Sequence, residues 1–137
     1  MKKNLFLFAL VLSLSLFLAA CGGAGSSADT SIKVDMVEFM FTPDTYTVPA
    51  GQEITIELKN SGAIEHEFVI MKFGTEVSQP FDDDDEPNIY WEHEVPAGQT
   101  ETVTFTAPTE PGTYQVVCGI AGHMEAGMVG KLIVVAP

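Results

Sequence analysis

Ile54, Ile56 and Leu58 occupy every second position of a run that closes on Asn60-Ser61-Gly62. A period of two puts these side chains on one face of an extended chain, so the segment is predicted to be a strand with one buried face. The same period recurs along most of the sequence. Ser31–Phe41 is apolar at 32, 34 and 36, then at 37, 39 and 41, a slip of phase that predicts a β-bulge. Thr45–Val48, His66–Met71, Thr100–Thr106, Tyr114–Cys118 and Val129–Val135 are further strand-like runs. Val48-Pro49-Ala50-Gly51-Gln52 and Val95-Pro96-Ala97-Gly98-Gln99 read as turns of one chemistry, and Pro111-Gly112 as another. No segment has the periodicity of an amphipathic helix. Seven or eight short strands, with turn signals about 8–12 residues apart, imply an all-β domain, an antiparallel sandwich or barrel, over 31–137.

The first 30 residues follow other rules. Lys2 and Lys3 precede a mostly apolar run from Leu5 to Ala20, the layout of an export signal over 1–20. The run is somewhat short for a membrane span, which needs about 20 apolar residues. Leu18-Ala19-Ala20-Cys21 resembles a bacterial lipoprotein signal, which implies that Cys21 is lipidated. Residues 21–30 begin Cys-Gly-Gly-Ala-Gly-Ser-Ser, the composition of a flexible linker. Ten such residues reach under about 20 Å on average, so the domain is expected to stay near the membrane. The predicted location is the outer face of the cytoplasmic membrane. With Cys21 carrying lipid, Cys118 has no disulfide partner, and metal ligation would account for a lone thiol in an exported domain.

Charge excludes one class of partner. From Cys21 onward there are four lysines, no arginine and 19 acidic residues, a formal charge of −15. Such a surface does not bind nucleic acid. It favours solubility and basic partners, and leaves membrane attachment to the lipid. Residues 72–91 interrupt the strand rhythm with Asp82-Asp83-Asp84-Asp85-Glu86 and two prolines. They are read as a solvated acidic insertion loop, with a docking patch for a basic partner as the sharper alternative. The spacing of a calcium loop is absent.

Cys118-x4-His123-x4-Met128 lies between two predicted strands. A blue-copper site uses two His and one Cys with a weak axial Met. The loop supplies one His, so the second must be His66 or His93. His66 opens a strand and therefore sits at an end of the sandwich. His93 lies between Glu92 and Glu94 and reads as a solvated surface residue.

"NSGAIEHEFVI", "PGTYQVVCGIAGHMEAGMVGKLIV" and "VEFMFTPDTYTVPAGQEITIEL" resemble the cupredoxins, small blue copper proteins, and most closely the auracyanin and plastocyanin/azurin-like group. The resemblance covers about residues 31–136. It implies a Greek-key β-sandwich, one type 1 copper ion and transfer of single electrons between redox partners, without enzyme activity. By position it assigns His66, Cys118, His123 and Met128 as ligands, while Met124 points away. Ile120, Ala121 and Met124 would form an apolar rim beside His123, the electron's exit. Glu67 and Gly119 depart from the residues that brace the site in many relatives, and Ala121 replaces a usual proline.

Other readings of the same residues are copper tolerance or delivery, and a zinc site with an open position formed by His66, Cys118 and His123. Three histidines are too few for a copper oxidase or nitrite reductase. A metal-free binding module fits poorly with all four ligand residues in place. Met36, Met40 and Met71 read as core or surface filler on strands.

Overall fold

The computed structural model describes residues 28–137. The signal segment 1–20, Cys21 and the linker as far as residue 27 lie outside the described residues. Asp29, two residues before the predicted domain start, donates its backbone N–H to the Thr47 carbonyl at 3.0 Å.

Among the described residues there are nine strands: β1 Ser31–Val37, β2 Met40–Thr42, β3 Thr45–Pro49, β4 Glu53–Asn60, β5 His66–Met71, β6 Ile89–Val95, β7 Thr100–Thr106, β8 Gly112–Val117 and β9 Val129–Val135. They form two packed sheets, β2-β1-β4-β7 and β3-β9-β8-β5-β6. Alternation works as expected: Ile54, Ile56 and Leu58 of β4 are fully buried, and so are Val116 of β8 and Leu132 of β9. These residues meet Phe41, Phe68 and Met36 in one core between the sheets. Both V-P-A-G-Q segments turn as predicted, with Gly51 at φ 68° and Gly98 at φ 73°, a region that a side chain disfavours.

Three features depart from the sequence reading. The phase slip in Ser31–Phe41 is a reversal of the chain rather than a bulge. Glu38 and Phe39 form a two-residue turn, and β2 folds back antiparallel on β1 with Val37 opposite Met40. The two sheets are mixed, since β1 pairs parallel with β4 and β3 parallel with β9. The acidic segment is also shorter than 72–91. A 3₁₀ turn at Glu86–Asn88 leads directly into β6, whose Ile89, Trp91, His93 and Val95 face inward.

Placement of the site follows from this topology. His66 starts β5, Cys118 follows the last residue of β8, and Met128 precedes the first residue of β9. Strands β5, β8 and β9 are neighbours in one sheet, so all three positions fall at the same end of the sandwich.

Candidate metal centre

The loop from Cys118 to Met128 is held by its own backbone. Cys118 donates its N–H to the Met128 carbonyl at 3.0 Å, and Met128 donates to the His123 carbonyl at 3.0 Å. His123 donates in turn to the Ile120 carbonyl at 3.0 Å. Gly122 at φ 86° and Gly127 at φ 104° supply the left-handed turns that fold the loop back on itself.

Within this frame three potential ligands converge. His66 Nδ1 lies 3.2 Å from His123 Nδ1, and Cys118 Sγ lies 3.3 Å from His123 Nδ1. One donor atom from each of His66, Cys118 and His123 falls within 4.8 Å of the others, and all three residues are buried. Cys118 has no disulfide partner among the described residues. Burial pushes both imidazoles below their ordinary pKa, and His123 pushes His66 further down. Burial also pushes the Cys118 thiol up, against hydrogen bonds from the Glu67 and Ile120 amides. The Nδ1 atoms of both imidazoles and the Cys118 sulfur thus face one another, an arrangement that a bound cation would satisfy. The donor set of two nitrogens and one sulfur suits copper or zinc.

Surrounding groups restrain this cluster. The Glu67 N–H donates to Cys118 Sγ at 3.4 Å, tying β5 to the loop through the sulfur itself. Phe39 sets its ring edge-on to His123, with centroids 5.1 Å apart. Asn60 is buried, and its side-chain amide donates to the Ile64 and Val95 carbonyls at 2.8 Å each. Those bonds fix the 61–65 loop that delivers His66.

Met128 is fully buried and shares the main core with Cys118. Its main-chain bonds to Cys118 and His123 place it in the same loop layer. Met124 is only 4% exposed and packs with Val69, Met71, Val77 and Val117. It therefore cannot form part of a surface rim as the sequence suggested, because its side chain fills a second small core. Ile120 is partly buried against the main core, and Ala121 is exposed. Apolar surface at this end comes instead from Phe39 and Ile64, 41% and 44% exposed. Glu38 and Phe39 were missed in the sequence, since their place at the site depends on the β1–β2 reversal.

His93 is not a solvated surface residue. It bonds to Glu101 at 2.6 Å and stacks on Trp91, joining the edge strands β6 and β7 of the two sheets. Met36 and Met71 are core residues, and Met40 is exposed.

A β-sandwich that buries two histidines and a thiol at one end defines a class of small metalloproteins with a soft, nitrogen- and sulfur-rich site. Comparison with known proteins narrows the class. The family model of the cupredoxin-like domain matches residues 7–134. Auracyanin-A of Chloroflexus aurantiacus is 31% identical over 158 aligned positions, covering 96% of each chain. The copper-resistant cuproprotein CopI of Rubrivivax gelatinosus is 33% identical, over 82% of this chain and 70% of that protein. Among solved structures, the dithionite-reduced auracyanin from the photosynthetic bacterium Roseiflexus castenholzii superposes with a TM-score of 0.67 at 32% identity. That match covers 80% of this chain and 99% of the auracyanin. The chain belongs to the cupredoxin family of blue copper proteins, and its cofactor is one type 1 copper ion.

Proposed function

We propose that this protein carries single electrons between redox partners outside the cytoplasmic membrane, with copper that would be held by His66, Cys118, His123 and, more weakly, Met128. The observation that carries this reading is the buried trio of His66, Cys118 and His123 on a hydrogen-bonded frame. Its likeness to auracyanin-A supports the same reading. Bound copper supplies a one-electron couple, and a mixed nitrogen and sulfur donor set suits neither oxidation state alone. The chain's part is to keep that donor set still. The Glu67 N–H stabilises negative charge on the sulfur. Core packing around Cys118 and Met128 excludes water. The exit lies at His123, beneath Phe39 and two residues from exposed Ala121. This apolar end suits a brief contact that excludes water. The acidic remainder steers basic partners. As a carrier, the protein would pass electrons without transforming a substrate, a role that the likeness to auracyanin-A supports.

Export and tethering through a lipid on Cys21 belong to the same proposal, resting on the N-terminal sequence. Cys21→Ser is expected to appear in the soluble fraction, and retention in membranes would point to an uncut anchor.

The direct test is the visible spectrum of the copper-loaded domain. An intense thiolate-to-copper band is expected in wild type and absent in Cys118→Ser, while His93→Ala keeps it. Persistence of the colour without Cys118 sinks the site.

Copper tolerance is a second reading, favoured by the 33% identity to the copper-resistant cuproprotein CopI. Stopped-flow reduction by candidate donors separates the two. In a carrier, Ala121→Glu leaves the visible band intact and slows electron exchange, and rising salt slows exchange with a basic donor. Slow exchange with every donor, together with copper sensitivity of a deletion strain, favours copper handling.

A further inference from the structure

His66 carries a second ring nitrogen that the copper site does not use. Its Nε2 is buried and has no hydrogen-bond partner among the described residues. With Nδ1 given to the metal, the ring keeps its proton on Nε2, and a buried N–H without an acceptor costs about 1–3 kcal/mol. Metal-ligating histidines almost always donate that N–H to a carboxylate, a carbonyl or water.

A carboxylate stands in the right place. Glu38, at the β1–β2 turn, accepts the Ala63 N–H on Oε1 at 2.5 Å. A Cβ added to Gly62 would lie 2.8 Å from this Oε1 and 2.9 Å from His66 Nε2. The two atoms thus converge on the bare face of one glycine. Gly62 is not in the left-handed region, so what it provides is space. Any side chain there would press between the acid and the imidazole. Phe39, the residue after Glu38, packs edge-on against His123. One two-residue turn thus addresses both histidines of the site.

We infer that Glu38 is a positioning residue of the copper centre, its carboxylate accepting the Nε2–H of His66 across Gly62. It fixes the tautomer and ring plane of His66 and places one negative charge beside the metal. The inference rests on the reading of His66 as a ligand, and its test keeps the two apart.

The copper(I)-loaded protein is diamagnetic, so imidazole ¹H–¹⁵N correlation spectra report each ring. In wild type the His66 proton is expected on Nε2 and protected from exchange with water. Glu38→Ala and Gly62→Ala should both lose that protection, and copper affinity should fall by roughly 10- to 100-fold. Glu38→Gln retains an acceptor for both Ala63 and His66 but removes the charge. It should keep the protected proton and raise the reduction potential, which a purely structural tie to Ala63 would leave unmoved. A His66 proton equally protected in wild type and in folded Glu38→Ala overturns the role of Glu38. So does an unchanged potential in Glu38→Gln. His66 resonances that ignore copper altogether would instead overturn the ligand reading, and this inference with it.

Discussion

Gly119, directly after Cys118, shows how one missing side chain shapes the site. Its backbone is outside the left-handed region, so the need is for space and not for rotation. A Cβ there would lie 2.0 Å from Glu67 Oε2 and 3.2 Å from Val69 Cγ2. The Glu67 carboxylate therefore lies over Gly119, on the same residue whose amide holds the Cys118 sulfur. Gly119→Ala forces that carboxylate aside and crowds Val69. The expected loss is about 1–3 kcal/mol of stability, as for other overpacked sites. In a Glu67→Ala background the same change should cost less, since the nearest clash is gone. Chemical denaturation of the four proteins in the cycle measures this coupling, and strict additivity would show that Glu67 and Gly119 are independent. At this scale the sequence was partly legible. Cys118 and His123 stand out because one loop carries both, and His66 because it opens a strand, and the structure brings these three together. Glu38 and Phe39 do not stand out, because nothing local places them beside a histidine that lies more than 25 residues away in the chain.

Alternation along a strand tells which side chains face inward, but not which strand lies beside it or in which direction. That is why β4 and β9 were legible while the parallel pairs β1–β4 and β3–β9 were not. The slip at Val37 was visible but ambiguous, since a bulge and a two-residue reversal both shift the phase. Strand β6 did carry its own signal, Ile89, Trp91, His93 and Val95 at every second position. Three glutamate and histidine residues in its second half and the acidic run before it hid that signal, because charge usually marks a loop. A further element-level constraint sits at Gly130 in β9, opposite Val116 of β8. The Asp44 carbonyl accepts the Lys131 N–H at 2.8 Å, which brings the β2–β3 turn down onto β9. A Cβ on Gly130 would lie 2.6 Å from that same carbonyl oxygen. Backbone cannot swing away as a carboxylate can. Gly130→Ala should therefore destabilise by about 1–3 kcal/mol, and it should loosen the Lys131 amide. Faster hydrogen exchange at Lys131, with little change at β4, is the expected signature. A variant as stable as wild type would show that the turn moves freely.

Across the whole molecule the dominant feature is like charge, four lysines facing 19 carboxylates in the described domain. This excess was fully legible, but where it concentrates depended on β6. Glu67 on β5 stands opposite Glu94 on β6, and Val69 opposite Glu92, so carboxylates share one outer face near the copper end. Like charges directly opposite across a sheet are destabilising. Burial, followed by Glu92, Glu94, Glu86 and Glu65, raises the Glu67 pKa from 4.5 to about 7. The folded, metal-free protein thus holds a proton on Glu67 at a pH where the unfolded chain has lost it. Stability from this group is complete below about pH 4.5 and is lost as pH rises through about 7. His66 and His123 act in the opposite sense, because both are held below their ordinary pKa. The unfolded chain binds protons there more readily, so their contribution grows as pH rises toward 6.5. A wild-type profile alone mixes these trends. The difference between wild type and Glu67→Gln isolates the carboxyl group, since the histidine contributions are common to both. In metal-free protein, Glu67→Gln should gain stability relative to wild type as pH rises from about 5 to 8. Solvent screening at a half-exposed carboxylate reduces the gain to about 1–2 kcal/mol. Thermal unfolding of both proteins across that range measures it. Parallel profiles would mean that Glu67 ionises as freely in the fold as in the unfolded chain, and that the carboxylate face carries no strain.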